Sequence, residues 1–477
     1  MNNNSSPRPS HVGGVVGFLV FVELISGIVQ GFYVPLIGRI ARVHAVTDAD
    51  VTWFVTVQTL SAAVCVPVLS KLGDIFGHRR MLRIAVVLVA LGTGLVAFAP
   101  DFTLVLLGRI LVGPLAVWLP LEVALVHSRL DQEDSRRAIG MLASALTLGA
   151  LVGALLSGVL AAVTTSLSVV LAVPFIATLA CAVIVFTKVP ETTVRTAPSI
   201  DGVGFAGLAL AMIAILSGLN LAKSQGFAAA STLAVLAVAV LLLIGWVIWE
   251  LRATPPAVDL RMMTSRALWP VYVTSFLFGI LVFGMQTIGP TFLAADPSAT
   301  GYGFSLQPAA ISGFSAASTA LSVLGASTFA WFARRIGIKS LLLVATGLGV
   351  VSNLILVVGW SALLAYFVAT ALSGISLGLL LGALPALIAE RSPSDQTAIA
   401  TGLYNTLKTV GGSIAGAVFA VVLAAFFVPE AGASSIGGYQ IVWGICAAGF
   451  VVSSVALLFT PATTTAPAAV LKVKENA

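Results

Sequence analysis

Long apolar runs separated by short polar turns make up almost the whole chain. A helix needs about 20 apolar residues to cross the hydrocarbon core of a bilayer, and fourteen runs reach that length. Because lipid cannot satisfy open backbone hydrogen-bonding groups, such runs predict membrane-spanning helices. They cover about 12–37, 51–71, 81–99, 102–127, 138–163, 167–187, 202–222, 229–249, 268–294, 308–333, 338–358, 361–389, 398–427 and 437–460. The pattern therefore predicts an all-α polytopic membrane protein with fourteen transmembrane helices.

Two connections are longer than the others and divide the chain. Both carry Pro, Thr and charged residues, which is typical of linkers, and they bracket two spans. The predicted order is therefore six helices, an inserted pair and six more. The expected segments are an amino-terminal tail at 1–11, a first bundle at 12–187, a linker with two helices at 188–267, a second bundle at 268–460 and a carboxy-terminal tail at 461–477.

The composition narrows the class of protein further. Of 477 residues, 59% are hydrophobic and 9% are charged, with a mean hydropathy of +1.08; a soluble domain has roughly 25% charged residues. The net charge is +6, but the basic residues form no continuous face, which argues against nucleic acid as a partner. No nucleotide-binding loop, metal cluster or nucleophile elbow occurs. We expect no enzymatic activity and no cofactor, with a proton gradient as the energy source.

One short turn carries a dense group of basic residues and sets the predicted orientation. Lys71, Arg79, Arg80 and Arg83 lie between the second and third spans, and loops rich in Lys and Arg stay in the cytoplasm. With the amino terminus inside, most of the 24 basic residues fall on the cytoplasmic side. Because the number of spans is even, both termini are expected to be cytoplasmic.

The same turn has a faint internal repeat. The segment 333–339 forms the turn between the tenth and eleventh spans. Its sequence resembles that of 73–79, and Gly337 takes the place of Gly77. Two related six-helix halves with a central substrate site are a known plan of secondary transporters.

Several motifs carry a resemblance to a known family. Leu72, Asp74, Gly77, Arg79 and Arg80 follow a loop pattern G-x-L-a-D-r-x-G-r-r. Further along the chain come three more matching stretches, at Leu107-Gly108-Arg109 with Gly113, at Gly140, Gly149, Gly153 and Gly158, and at 405–412. In this order they resemble the fourteen-helix drug/proton antiporter family of the major facilitator superfamily. The resemblance implies export of drugs against protons, and it implies a coupling role for the fourth-helix arginine, Arg109.

The loop motif predicts a conformational latch made of Gly73, Asp74, Gly77, Arg79 and Arg80. Asp74 is expected to accept hydrogen bonds from the start of a neighbouring helix, and the arginines to pair with acidic helix ends. The alternative is simple anchoring by positive charge. The glycines and the aspartate at fixed offsets favour the latch, because anchoring does not require them.

Four ionisable residues inside the spans are candidates for proton coupling: Glu23, Arg109, Glu122 and Lys408. Glu23 lies near mid-membrane, where a carboxylate is costly unless it is paired, hydrated or protonated. It is expected to carry a proton or to be a structural partner of Lys408 or Arg109. Arg109 either stabilises the ionised acid or fastens the fourth helix. Lys408 either binds an anionic substrate or couples to Glu23.

Glu122 is expected to lie about 220° around an ideal helix from Arg109, so we do not expect the two to pair. A structural pairing with loop arginines is favoured for this residue. On the fifth helix, Gly149, Gly153, Ala154 and Gly158 predict close helix packing. Ala154 stands where the family motif has proline, which puts the direction of transport in doubt.

Polar and aromatic side chains expected near the centre of the bundle form the candidate substrate cavity. They are Ser26, Gln30, Tyr33, Gln58, Trp118, Phe283, Gln286, Tyr404 and Asn405. The leading hypothesis is a proton-coupled exporter of small lipophilic or cationic compounds, monomeric, in a bacterial inner membrane, with the lipid bilayer and protons as its other partners. The alternatives are an exporter of one metabolite, an uptake symporter, or a membrane sensor or scaffold that does not transport.

Overall fold

The computed structural model describes residues 10–46, 53–191, 201–254, 256, 258, 260–306, 308–393, 395–428 and 433–461. Within these residues, fourteen helices are long and apolar enough to cross a membrane. The predicted all-α fold class and number of spans are therefore confirmed. Most of the predicted tails at 1–11 and 461–477, and most of the first linker, lie outside the described residues, and residues 10 and 11 already belong to the first helix.

The first six spans form one group of helices, the first bundle. Its helices are α1 (Ser10–Phe32), α2 (Ile37–Val43), α3 (Trp53–Phe76), α4 (His78–Phe98), α5 (Phe102–Val112), α6 (Trp118–His127), α7 (Gln132–Val163) and α8 (Leu167–Thr187). A 3-10 turn at Val34–Leu36 joins α1 to α2, which continues the first span. Within the bundle α1 packs on α7, α4 on α5 and α8, and α3 on α5.

The last six spans form the second bundle. After α9 (Gly202–Gln225) and α10 (Ala230–Arg252), the inserted pair, come α11 (Leu260–Thr264), α12 (Trp269–Ala294), α13 (Pro297–Thr300), α14 (Pro308–Ile336), α15 (Ile338–Gly359), α16 (Leu363–Arg391), α17 (Thr397–Ala425) and α18 (Ile436–Leu458). Here α12 packs on α17, α14 and α15 on α16, and α18 on α15 and α12. Two antiparallel strands of two residues each, β1 (Phe427–Val428) and β2 (Ala433–Ser434), form a hairpin between α17 and α18.

The inserted pair is not isolated in the lipid. Helix α9 packs on its partner α10 and also contacts α3 of the first bundle and α17 of the second. Leu219 and Ala222 of α9 are buried in a small apolar cluster with Ile414 of α17. The inserted helix therefore covers a seam between the two bundles.

Glycine makes the tight turns that the sequence repeat indicated. Gly77 separates α3 from α4 with φ +107°, and Gly337 separates α14 from α15 with φ +80°. Only glycine adopts this region of backbone space at little cost. Both turns lie at the same end of the bundle, which we call the latch end. Arg39 lies at the opposite end, where its guanidinium donates to the carbonyl of Thr164 that follows α7.

The fourth span is broken, although the sequence predicted one continuous helix over 102–127. A 3-10 segment, Gly113–Val117, separates α5 from α6. Pro114 is at its start, and a proline there lacks the N–H that an α-helix would use. Gly113 allows a close approach of α3, because Ser61 Oγ lies where a Cβ would be and donates to the carbonyl of Ile110 at 2.6 Å. The break changes the rotation between α5 and α6.

The two bundles touch each other mainly near the latch end. Helix α3 packs on α17, α7 on α14 and α16, and α6 on α17. Gly140 of α7 lies against the carbonyl of Ala326 of α14, and Ser144 Oγ donates to the carbonyl of Val323 at 3.2 Å. These contacts close the latch end of the protein.

Candidate transport site

Two carboxyl groups meet inside the first bundle. Glu23 of α1 is 1% exposed and Glu122 of α6 is 0% exposed, and the two side chains lie next to each other. Glu23 Oε2 and both carboxyl oxygens of Glu122 lack a hydrogen-bond partner among the described residues. Two adjacent buried carboxylates repel each other and lose their hydration. This arrangement is therefore suited to hold a proton between them or to receive a cation or a donor group.

A buried lysine from the second bundle faces this pair. Lys408 of α17 is 7% exposed, and its charge interacts with that of Glu23. Its ammonium nitrogen lies 5.1 Å from the centroid of the Tyr404 ring, one turn earlier on the same helix. The site thus consists of two acids from one bundle and a base from the other.

Further buried polar atoms accompany the charged groups. Trp118 precedes Glu122 by one turn of α6, and Tyr404 precedes Lys408 by one turn of α17. Trp118 Nε1 and Tyr404 Oη are both without a hydrogen-bond partner within the described part of the chain. Buried polar atoms are normally satisfied. Their concentration on these two helices makes the region the candidate binding site.

The structure does not bring Arg109 into this group. Its guanidinium stacks on Phe54, with Cζ 4.0 Å from the ring centroid, and on Tyr33 at 4.6 Å. Its Nε donates to the carbonyl of Phe54 at 2.9 Å. The side chain is 5% exposed and ties α5 to α1 and α3. Glu122 does not pair with it, as the sequence analysis expected.

The expected position of Glu122 itself was wrong. The sequence analysis favoured a pairing with loop arginines, whereas its carboxyl lies beside that of Glu23. That expectation placed the carboxyl near the cytoplasmic end of its span, whereas the side chain is fully buried inside the first bundle and faces α1.

Asp74 connects the two bundles at the latch end. The backbone N–H groups of Ala398 and Ile399, in the first turn of α17, donate to its carboxylate at 3.2 and 3.0 Å. His78 Nε2 lies 2.8 Å from Asp74 Oδ1. A helix amino terminus carries unsatisfied N–H groups and a positive dipole end. The buried carboxylate is therefore stabilised by the helix terminus together with the His78 side chain.

The arginines of the loop motif lie within the first bundle, where the charge of Arg79 interacts with that of Glu191. Arg79 donates from Nη2 to the carbonyl of Phe186 at 2.9 Å and from its backbone to Glu191 Oε1 at 3.2 Å. Arg83, outside the motif, donates to the same carbonyl of Phe186 at 2.6 Å. Arg80 is exposed. These contacts cap the end of α8 within the first bundle, so the inter-bundle part of the motif is Asp74. Gly73 is buried against Leu121.

Ion pairs across the bundles lie at the same end. Arg136 of α7 makes a two-pronged contact with Glu390 of α16, with Nη2 2.8 Å from Oε2. Gln132 Nε2 donates to the same oxygen at 2.9 Å. Arg334 of α14 donates to Glu133 of α7 at 2.7 Å. The sequence analysis missed these pairs because residues far apart in sequence give no periodic signal.

The predicted cavity residues occupy different environments. Ser26 is buried and accepts from Gln30 Nε2 at 3.2 Å, while Gln30 is exposed. Asn405 Nδ2 donates to the carbonyl of Ala116 across the bundles at 3.0 Å. Gln58 and Asn405 are half-buried, Phe283 is 38% exposed, and the side chain of Gln286 lies outside the described residues. Tyr33 lies with Arg109 and Tyr404 with Lys408, whereas Trp118 lies one turn before Glu122 on α6.

Two of the predicted packing glycines lie at a helix contact and one does not. Gly149 and Gly153 of α7 press against the carbonyls of Leu24 and Ile28 on α1. Gly158 has open space where a Cβ would be, so its assignment to the packing motif was wrong. Ala154 is half-buried. The partners on α1 are Gly27 and Gly31, which pack on the backbone of Leu146 and Ala150; their G-x-x-x-G spacing is a signal that could have found them.

The sequence profile of the Major Facilitator Superfamily matches residues 19–416. An uncharacterized MFS-type transporter of Mycobacterium tuberculosis is 25% identical over 88% of this chain, and the chain spans 61% of that relative's length. The tetracenomycin C resistance and export protein of Streptomyces glaucescens is 26% identical over 79% of this chain and 69% of its own. The uridine/deoxyuridine transporter of Lactococcus lactis subsp. cremoris is 25% identical over 60% of this chain and 62% of its own.

Solved structures agree on the fold. The human organic anion transporter MFSD10 superposes with a TM-score of 0.68 at 14% identity, covering 94% of this chain and 100% of its own. A proton:xylose symporter superposes with a TM-score of 0.65 at 13% identity, covering 95% of this chain and 97% of its own. With fourteen spans among the described residues, paired bundles and a family match over most of its length, this chain is a multi-pass membrane protein that belongs to the Major Facilitator Superfamily.

Proposed function

We propose that this transporter exports small lipophilic compounds in exchange for protons, and that the Glu23–Glu122 pair is the proton-binding group. The observation that carries the proposal is the position of Lys408. It is a buried base from the second bundle beside two buried acids from the first. Protonation of the pair therefore changes an attraction that acts between the moving parts.

The direction of the coupling follows from charge. An ionised Glu23 attracts Lys408 and holds α17 against α1 and α6, which favours the state closed at the latch end. Proton binding removes that attraction and lowers the free energy difference to the state open at this end. Release of the proton then restores the attraction and returns the bundles to the first state. Protons and cargo each shift the equilibrium because each binds one of the two states more tightly than the other.

We place the latch end in the cytoplasm, with both termini there and the protein in a bacterial inner membrane. The support is the basic turn between α3 and α4 together with the positive-inside rule. In this orientation the described state faces outward, which is where an antiporter takes up its proton and releases its cargo.

Two relatives bear on the cargo and on the direction of transport. The export of tetracenomycin C by the Streptomyces relative supports outward movement of a small organic compound. The uridine/deoxyuridine transporter keeps uptake as a second candidate, and the alanine at position 154, in place of the family proline, favours the same alternative.

Proteoliposomes with an imposed proton gradient test the proposal. Ethidium, as a cationic probe, and resveratrol, as an uncharged one, are followed by fluorescence while internal pH is recorded with a trapped dye. We expect substrate and protons to move in opposite directions, and Glu23→Gln and Glu122→Gln to abolish gradient-driven flux while facilitated exchange persists. Movement of substrate and protons in the same direction would select uptake. Gradient-driven flux unchanged in both variants would rule out the carboxyl pair.

A further inference from the structure

A cavity lies within the second bundle, separate from the site formed by Glu23, Glu122 and Lys408. Its volume is about 300 Å³, and it lies between α12, α14, α15 and α16. Polar side chains from three of these helices line it: Ser315, Ser318 and Thr319 from α14, Ser352 and Asn353 from α15, and Thr370 from α16. None of the proton-coupling candidates named above contributes to its wall.

The hydrogen bonds of these side chains determine what the wall can offer. Thr319 Oγ1 donates to the carbonyl of Ser315 at 2.8 Å, and Ser352 Oγ donates to that of Ala369 at 2.8 Å. Asn353 Nδ2 donates to the carbonyl of Gly349 at 2.9 Å. A hydroxyl has one proton and two acceptor lone pairs. The hydroxyl protons of Thr319 and Ser352 are engaged by backbone carbonyls, so their lone pairs remain for a ligand. Asn353 adds its side-chain carbonyl oxygen and keeps a second N–H.

The same pattern holds for the other hydroxyls. Ser315 Oγ donates to the carbonyl of Ile311 at 3.2 Å, and Thr370 Oγ1 donates to that of Tyr366 at 2.9 Å. The cavity therefore presents several acceptors to its interior. A ligand that fits this wall must bring hydrogen-bond donors of its own.

The rest of the lining restricts the ligand further. No charged side chain occurs among the described residues that line the cavity, so an ionic ligand would lose its hydration without compensation. Phe314 and Tyr366 supply aromatic walls, with ring centroids 6.0 Å apart in an edge-to-face arrangement, and Leu281 and Met285 add apolar surface. These walls suit a flat, uncharged body.

The cavity has a neighbour toward the end opposite the latch. A wider cavity of about 850 Å³ includes Thr300 and Tyr302, which follow α12, and Phe427 of the hairpin. The two cavities share Pro290 and Ile311 in their walls. The two cavities therefore adjoin at this pair of residues.

We propose that the 300 Å³ cavity binds uncharged aromatic compounds that carry several hydroxyl or N–H donors. The binding of such a compound depends only on this cavity and not on the proposed transport function. That the bound compound is also cargo rests on the proposed function. The inference assigns to this cavity one class of ligand, the neutral donor-bearing compounds, within the lipophilic compounds of the proposed function.

A matched pair of ligands tests the donor requirement. Resveratrol carries three phenolic hydroxyls on a flat uncharged frame, and its trimethyl ether keeps the frame but has no donor. Binding of each is measured by fluorescence to the full-length protein in lipid nanodiscs, with empty nanodiscs subtracted. We expect resveratrol to bind at least about 10-fold more tightly than the ether, as the loss of two or more hydrogen bonds implies. Equal affinities would overturn the proposal.

Matched variants locate the site. Thr319→Val and Asn353→Leu remove acceptors from the cavity, and each should weaken resveratrol binding about 3- to 10-fold. Thr328→Val is the control, because Thr328 lies on the same helix, makes the same type of bond to the carbonyl of Leu324 at 2.6 Å and is exposed. It should leave the affinity unchanged. An equal effect of Thr328→Val, or none of Thr319→Val and Asn353→Leu, would overturn the proposal.

A cavity-filling variant guards against misfolding as the cause. Ser373→Leu adds volume to the cavity wall without removing the acceptors above, and it should abolish binding while thermal unfolding and gel filtration stay as in the wild type. Flux in proteoliposomes separates this proposal from the function proposed above. Loss of resveratrol binding with ethidium–proton exchange intact in Ser373→Leu supports both, whereas wild-type resveratrol binding without any proton-driven flux supports the cavity and contradicts the exporter.

Discussion

Asp74 and Arg334 hold corresponding positions in the two bundles, each three residues before the glycine that ends its helix, and each reaches the start of a helix in the other bundle. Asp74 accepts from the N–H groups of Ala398 and Ile399 at 3.2 and 3.0 Å, while Arg334 donates to Glu133 in the first turn of α7 at 2.7 Å. The acid uses the helix terminus directly and the base uses an acidic side chain placed there. The latch end is therefore closed by two related contacts of opposite charge.

Neutralising Asp74 should open the latch end. Asp74→Asn keeps the shape of the side chain but loses the charge that strengthens its bonds to two backbone N–H groups, each worth about 1.5–3 kcal/mol when charged. We expect at least about a 10-fold increase in the population of the open state. The measurement is the distance between spin labels on Asp134→Cys and Ile336→Cys, two exposed positions on opposite bundles, in a background without Cys65, Cys181 and Cys446.

The control for this experiment is Asp101→Asn. Asp101 also accepts from a backbone N–H at a helix start, that of Leu104 at 2.9 Å, but it does so within the first bundle. Its substitution should leave the distance distribution unchanged. A distribution for Asp74→Asn that matches the wild type would show that the second contact, Arg334–Glu133, suffices to close this end.

The ion pair of Arg136 and Glu390 should contribute more to the free energy of unfolding than the exposed ion pairs do. Its side chains are 13% and 6% exposed, so Arg136→Gln or Glu390→Gln leaves a charge with little water, at a cost of about 3 kcal/mol. The reversed pair, Arg136→Glu with Glu390→Arg, should recover part of the loss. The free energy of unfolding in detergent is the measure.

Arg137→Gln is the matched control for that pair. Arg137 pairs with Glu133 and Asp134 on its own helix, and all three are about half exposed. Exposed pairs contribute roughly 0–1 kcal/mol, so the expected change is within that range. A loss as large as that of Arg136→Gln would mean that general surface charge, and not the inter-bundle pair, sets the stability.

The glycines of α7 should separate into two classes on substitution. Gly153→Ala places a methyl group against the carbonyl of Ile28, and overpacking of this kind costs about 1–3 kcal/mol. Gly158→Ala meets open space and gains up to about 1 kcal/mol of helix propensity. Thermal unfolding should therefore fall for the first variant and stay or rise for the second; the same fall in both would contradict the packing assigned here.

The sequence could predict the fold because hydrophobic length alone specifies membrane helices. It could not predict the break in the fourth span, since Gly113 and Pro114 are tolerated inside many membrane helices and only the approach of Ser61 shows that the chain bends here. The hairpin Phe427–Val428 with Ala433–Ser434 also escaped prediction. Strands of two residues carry no measurable periodicity.

The sequence predicted individual residues of the site but not how they come together. The sequence periodicity places Glu23 on a polar helix face. The free-energy cost of a charged side chain inside the membrane marks Lys408 as unusual. Neither property identifies the residue that each one contacts. Only the packing of α1, α6 and α17 brings Glu23, Glu122 and Lys408 together. Ion pairs such as Arg136–Glu390 join residues about 250 positions apart, a distance over which one sequence carries no signal.

Arg109 should act on stability and not on proton coupling. Its guanidinium lies over the rings of Phe54 and Tyr33 and donates to the carbonyl of Phe54, so Arg109→Gln removes cation–π contacts worth about 2 kcal/mol when desolvated. We expect a lower thermal unfolding temperature and reduced flux, with the pH at half-maximal transport unchanged. Glu122→Gln should shift or remove that pH dependence. Tyr33→Phe is the control, because it keeps the ring under the guanidinium and loses only a hydroxyl that has no hydrogen-bond partner among the described residues. A displaced pH profile in Arg109→Gln with normal unfolding would instead assign Arg109 to the proton pathway.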